Sequence, residues 1–256
     1  MYFKSIVTLM LIAILWGAFP QLISSAWASA GYDSSSIQPE VVLTQFFAII
    51  ISLTIHEFAH AWVADKMGDP TPGRYGRLNL NPITIIKAHP FGAFLVPLIG
   101  SMNGFLFGMA ATPVNPHLVK RKYTLRQAER WISFAGPLSN VILAIVATMI
   151  YIALAKYTSE STKEILKPLL SLSGALITTN IILALFNLIP VPPLDGFTVL
   201  QSSIPKSQAH VTEMINQYKN MIIIFVIFFG GELIMPAVIF IQTLLIRTGV
   251  AIFSMF

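Results

Sequence analysis

His56-Glu57-Phe58-Ala59-His60 places two histidines four residues apart with a glutamate beside the first. On a helix these two histidines lie about 40° apart around the axis, so both imidazoles face one point. That is bidentate geometry for zinc, and the pattern on a helix belongs to metal-dependent peptide hydrolysis. Glu57 adjoins the first ligand, where its carboxylate can reach the attacking water instead of the metal, take its proton and pass it to the leaving nitrogen. Zinc supplies the remaining chemistry, lowering the pKa of water toward about 7 and polarising the scissile carbonyl. The chain has five histidines, so chance rarely sets two of them around a glutamate in this way. A structural polar cluster is the plainer alternative. It must meet the insertion penalty of an ionisable residue in an apolar segment, about 2.5 to 3.5 kcal/mol.

A catalytic zinc takes three protein ligands and leaves one position open. With no cysteine in the chain, the third ligand must be His, Asp or Glu. After His60 the nearest candidates are Asp65, Asp69 and His89, and Asp65, one turn further along the same helix, falls beyond reach of the metal. Asp195 is better placed. It lies in Asn187-Leu-Ile-Pro-Val-Pro-Pro-Leu-Asp195-Gly196, where three prolines end a helix and Gly196 allows a sharp turn. Unwound backbone at membrane depth is tolerated where it lines a polar cavity, which makes a carboxylate there a metal-site candidate. A surface turn is the competing reading, since Pro, Asp and Gly are ordinary turn residues.

These residues must be carried by apolar elements. Of 256 residues, 55% are hydrophobic and 11% charged, far from the quarter or so charged residues of soluble domains. The expectation is an all-α polytopic membrane protein. Residues 1–30 combine Lys4, an apolar run over 6–19 and Ala28-Ser29-Ala30, the pattern of a signal peptide or a retained N-terminal anchor. Residues 31–256 form a single intramembrane domain, with a catalytic core at about 41–200. Spans are expected at 41–64, which carries the histidines, at 131–157 and at 166–189. A further apolar region from 221 onward is interrupted by Gly230-Gly231-Glu232 and Pro236, and one broken span or two would fit it.

Residues 91–111 are apolar enough to span but carry Gly92, Pro97, Gly100, Gly104 and Gly108, which disfavour a helix. Before them, residues 74–81 alternate polar and apolar as a half-buried strand does. The segment 73–115 therefore reads as a small membrane-associated β element with a re-entrant hairpin. Charge supports the re-entrant path. Nine of the sixteen Lys and Arg residues lie between positions 66 and 130, against two acids. If 91–111 crossed the bilayer, Lys120-Arg121-Lys122 would sit opposite Arg74 and Arg77, against the tendency of basic loops to stay cytoplasmic. A dipping segment keeps them together. It places the histidines and Asp195 toward the cytoplasmic side of the cell membrane.

In these motifs the chain resembles the site-2 proteases, which cleave transmembrane substrates within the bilayer. The resemblance covers about 42–200. It rests on His56 to His60, on Gly76-Arg-Leu-Asn-Leu-Asn-Pro82, on Ala135-Gly-Pro-Leu-Ser-Asn140, and on Asn187 through Gly196. It implies a core of three transmembrane helices with extra N- and C-terminal helices. One Zn2+ per chain is implied, held by His56, His60 and Asp195, with Glu57 as catalytic base and Asn187 assisting the reacting carbonyl. Membrane-protein substrates are implied as well. Family members of this bacterial type often carry an Asp in the turn occupied here by Lys87-Ala-His89-Pro90, so His89 is read as structural. Asn140 begins a span of small residues and reads as a helix-packing position. An edge at 74–81 could receive an unwound substrate by strand addition, or be plain structure.

Other classes fit less well. A membrane oxygenase needs more histidine boxes than five histidines allow. A different membrane zincin would need a glutamate ligand, for which Glu232 is the intramembrane candidate. A metal carrier would need a relay of polar residues beyond one site. Nucleic acid is not an expected partner, the lipid bilayer is, and oligomeric state is not readable.

Overall fold

The structure, a computed structural model, describes residues 38–102, 108 and 110–255. The expected signal peptide or anchor at 1–30, and with it the extra N-terminal helix, lies outside the described residues. Four helices are long and apolar enough to cross a membrane: α1 (Pro39–Met67), a long stretch of α5 (Leu125–Tyr157), Glu164–Asn187 within α6 (Glu160–Asn187), and Phe229–Phe253 within α8 (Ala209–Phe253). Between them lie the short helices α2 (Thr71–Arg74), α3 (Pro82–Ala88), α4 (Val96–Met102, preceded by a π-helical turn at Phe91–Leu95) and α7 (Asp195–Ser203). The protein is a helical, multi-pass membrane protein.

Local chemistry sets the helix ends. Pro39 opens α1 at a position where the missing N–H costs nothing. Gly68 closes it in the left-handed region, with φ of 108°, its N–H bonding back to Ala64 and Asp65 carbonyls. A reciprocal box between Thr124 and Gln127 starts α5. At the end of α6 comes the proline-rich loop 188–194, which cannot continue the helix. Gly230, Gly231 and Pro236 do not divide α8, which runs unbroken for 45 residues, or about 68 Å. That exceeds the roughly 30 Å hydrocarbon core, so only its C-terminal part reads as a span.

The core is built from α1, α5 and α6. Its pairings run antiparallel between α1 and α5, with His56 against Asn140, His60 against Ile132, and Ala64 and Met67 packed with Ala128 and Ile132. Helices α5 and α6 are antiparallel too, through Asn140 with Asn180 and through Ala144 and Ala147 packed with Ile177. In a bilayer the lipid tails are as apolar as the helices, so close approach of small residues stabilises the bundle. Ala144 and Ala147 provide that approach, and Val238 of α8 joins the same cluster.

The region 73–115 departs from the sequence expectation. Among the described residues there is no strand: 71–74 is a helical turn and 75–81 a chain of turns. The alternating residues have no neighbouring strand to pair with, and asparagine side chains satisfy the backbone instead. Asn79 donates to the Gly76 carbonyl and accepts from the Asn81 N–H, and Asn81 caps α3 by accepting from Ile83 N–H. Leu78 and Leu80 are exposed. Helix also wins over 91–102 despite Gly92, Pro97 and Gly100, because 91 to 95 relax into π-helical pairing ahead of Pro97.

At 12 residues, Phe91–Met102 is too short to cross. The path returns to its origin: His89 Nε2 lies 2.9 Å from the Ala111 carbonyl oxygen. Beyond it, Thr112 donates to the Glu57 carbonyl and Asn115 N–H to Asp69 Oδ2, a fully buried carboxylate whose other oxygen accepts from Thr71 N–H. The chain thus comes back to its starting point and is fastened to the end of α1. Reporter domains fused after Arg77 and after Lys122 are expected in the same compartment, and opposite compartments would mean that the intervening segment crosses.

Candidate metal centre

His56 and His60 are buried on the inner face of α1, and their Nε2 atoms lie 3.0 Å apart. Asp195 Oδ2 is 3.2 Å from His56 Nε2 and 3.3 Å from His60 Nε2. Among the described residues these three form the one group of His, Asp and Glu side chains able to hold a metal. Asp65 and Glu232 are not part of it, and Glu232 is exposed. His89 sits instead at the base of the hairpin.

Each imidazole has its Nδ1 occupied. His60 Nδ1 is 2.6 Å from the Ile132 carbonyl oxygen, and His56 Nδ1 is 2.6 Å from Asn140 Oδ1. Both partners are oxygens that accept, so both Nδ1 atoms carry hydrogen and both Nε2 atoms turn a lone pair toward Asp195. Three acceptors then converge on one point. A cation between them relieves their repulsion, and the spacing suits zinc: tetrahedral bonds of about 2.0–2.1 Å put ligand atoms roughly 3.3–3.4 Å apart.

Space for an ion is also provided. A Cβ on Gly136 would stand 2.4 Å from His60 Nε2 and 2.6 Å from His56 Nε2. Helix α5 therefore passes the histidines with bare backbone, next to Pro137, whose missing N–H leaves the Ser133 carbonyl without its helical partner.

Asp195 reaches the site because a helix starts there. It stands in the first turn of α7, where the helix dipole favours a carboxylate. Gly196 serves close approach rather than a turn: it is helical, and a Cβ there would meet the Leu188 carbonyl oxygen at 2.3 Å and Ile189 O at 2.7 Å. The other end of α7 is held by α5, with Arg130 donating to Ser202 O at 2.8 Å and Arg126 to Ile204 O at 2.7 Å.

Glu57 is buried, 5% exposed, and its Oε2 has no hydrogen-bond partner. An unpaired buried carboxylate oxygen costs free energy unless something polar completes it. One turn before His60, it is close enough to interact with that imidazole electrostatically. Asn187 is placed differently. It sits in the last turn of α6, its Nδ2 donates to Leu183 O at 3.0 Å, and among the described residues no hydrogen bond joins it to the two histidines or Asp195.

The residues that the sequence reading passed over are Asn180 and the contact made by Asn140. Asn140, expected as a packing position, touches a histidine of the cluster, and Asn180 of α6 stands behind it at 2.7 Å. Polar side chains in the middle of apolar spans were the available signal.

The description "Peptidase family M50" matches residues 44–172 and 159–230. A Bacillus subtilis (strain 168) protein named "Putative zinc metalloprotease YwhC" is 38% identical over 175 residues, 68% of this chain and 73% of that protein. The Mycolicibacterium smegmatis protein named "Putative zinc metalloprotease Rip2" is 30% identical over 189 residues, 72% of this chain and 66% of its own length. Its Mycobacterium tuberculosis namesake is 28% identical over 187 residues, 71% of this chain and 67% of its own. No solved structure matches the chain significantly. With the family match spanning most of the chain and two of these relatives agreeing over more than two thirds of it, the chain belongs to peptidase family M50, the site-2 protease family.

Proposed function

We propose that this protein is an intramembrane zinc endopeptidase that hydrolyses peptide bonds in or near transmembrane segments of other membrane proteins, with its site toward the cytoplasmic side. The observation that carries the reading is the triangle of His56 Nε2, His60 Nε2 and Asp195 Oδ2, 3.0 to 3.3 Å on a side, beside Glu57 and its unpaired carboxylate oxygen Oε2. Those three atoms would hold one Zn2+. Bound there, zinc would polarise the scissile carbonyl and bring a water's pKa toward about 7.

The chain's own residues do the rest. Glu57 Oε2, with no competing donor, takes a proton from the attacking water and returns it to the departing nitrogen. Asn187 uses an amide hydrogen on Leu183 O, and its side-chain nitrogen carries a second. That second hydrogen is our candidate donor to the negative oxygen formed as the carbonyl is attacked. An apolar groove of about 310 Å³, lined by Val63, Met67, Tyr123, Trp131, Phe134, Ala135 and Leu138, begins one residue from Gly136. It supports an apolar peptide segment as substrate. The basic stretch 66–130 supports the cytoplasmic orientation.

Variants separate these roles. His56→Ala, His60→Ala and Asp195→Ala are expected to lose zinc and cleavage together, and stoichiometric zinc with retained activity in Asp195→Ala would refute its assignment. Glu57→Gln should keep zinc while turnover falls roughly 10²-fold or more. Gly136→Ala should lose zinc although alanine favours the helix by about 0.5–1 kcal/mol, so metal content and thermal unfolding should move apart. For Asn187→Ala the expectation is normal zinc and melting with turnover lowered roughly 10²- to 10³-fold. Unchanged turnover there removes Asn187 from the site and leaves its bond to Leu183 O as a structural cap.

A further inference from the structure

Behind His56 a line of buried amides crosses three helices. His56 Nδ1 meets Asn140 Oδ1 at 2.6 Å, Asn140 Nδ2 donates to Asn180 Oδ1 at 2.7 Å, and Asn180 Nδ2 donates both to Ser52 Oγ and to Leu176 O, each at 2.8 Å. Ser52 in turn gives its hydroxyl hydrogen to Ala48 O at 2.6 Å. Ser52, Asn140 and Asn180 are all 0% exposed.

The direction of this line follows from chemistry. Leu176 O and Ala48 O are backbone carbonyls and can only accept. Because Ser52 spends its hydrogen on Ala48, the Asn180 atom facing Ser52 and Leu176 must be the NH2 group. The Asn180 oxygen therefore faces Asn140, and the Asn140 NH2 must point to it. What Asn140 turns toward His56 is its oxygen, which requires hydrogen on Nδ1. Were that amide reversed, its NH2 would need a lone pair on Nδ1. The imidazole hydrogen would then move to Nε2, into the point where His60 Nε2 and Asp195 Oδ2 converge. His60 needs no such device, since Ile132 O on α5 is already an obligate acceptor.

We propose that Asn140 and Asn180 are positioning residues, a one-way hydrogen-bond relay anchored on Ser52 and Leu176 that fixes His56 as its Nδ1–H tautomer and presents the Nε2 lone pair to the metal. The inference rests on the reading of His56 as a metal ligand. Partners one step behind a ligand typically change metal affinity 10- to 100-fold when lost. A second role for buried amides between helices is plain cohesion. Cohesion has no preference for direction, whereas the relay does. At both positions aspartic acid, in its neutral form, keeps an acceptor oxygen facing the donor before it and turns an O–H toward the acceptor behind it, and leucine removes both.

The test uses the full-length chain purified in detergent, stripped of metal, with histidine labelled by 15N in the imidazole ring and His56 assigned by its loss in His56→Ala. NMR at a pH where the ring is neutral should show the Nδ1–H tautomer in wild type, Asn140→Asp and Asn180→Asp. Asn140→Leu and Asn180→Leu should shift it toward Nε2–H. Co2+ affinity, measured by competition with a chelator, should fall roughly 10- to 100-fold in the leucine variants and stay near wild type in the aspartate variants. Leucine variants that keep the Nδ1–H tautomer and wild-type Co2+ affinity, losing only thermal stability, would reduce the line to helix cohesion and overturn the proposal. Should a leucine variant not fold, wild type showing the Nε2–H tautomer overturns it alone. Equal Co2+ affinity in wild type and His56→Ala would instead refute the metal-ligand reading, while the tautomer still judges the relay.

Discussion

Two imidazole nitrogens and a carboxylate oxygen, each with a lone pair turned inward, meet within 3.3 Å in the apolar interior of a helical membrane protein. Nothing in hydrocarbon compensates such an arrangement, and each unsatisfied group there costs several kcal/mol. The surrounding structure is organised to bring these three acceptors together nonetheless. Both Nδ1 atoms are tied to fixed oxygens, and α5 surrenders a side chain at Gly136 to leave room beside the Nε2 atoms. A divalent cation is the ligand that turns this mutual repulsion into attraction.

The same requirement accounts for the irregular backbone. Asp195 could not meet histidines from inside a regular span, so α6 stops, the proline-rich loop turns, and α7 begins with the aspartate in its first turn. Gly196 lets that turn press against the carbonyls of Leu188 and Ile189. Arg126 and Arg130 then complete the carbonyls at the far end of α7, so a nine-residue helix is held at that end by a neighbour that also carries Asn140 and Ile132. Helix α5 is thus the common support of both histidines and of the aspartate's helix.

How much of this was legible in the sequence depended on whether a residue's role is local. The His56, Glu57 and His60 spacing needs only helical periodicity, and the span boundaries at 131–157 and 166–189 need only hydropathy; the structure has helices over those ranges, apart from the last two residues of the second. Asp195 was legible because prolines and a glycine in an apolar context are a strong local signal, although Gly196 serves packing and not a turn. The strand expected at 74–81 failed for a tertiary reason: alternation alone does not supply a partner strand, and Asn79 and Asn81 had a closer way to satisfy the backbone. The Asn140 to Asn180 contact joins positions 40 apart on different helices, which one sequence cannot pair.

Two neutral imidazoles and one carboxylate from these elements are proposed to share one zinc ion. X-ray absorption at the zinc edge on the purified full-length protein tests it most directly, since imidazole rings leave a distinctive multiple-scattering pattern. About four nitrogen and oxygen donors at roughly 2.0–2.1 Å are expected around the zinc, two of them from imidazole. A shell of oxygen donors with no imidazole contribution, or protein that does not retain zinc, would contradict it.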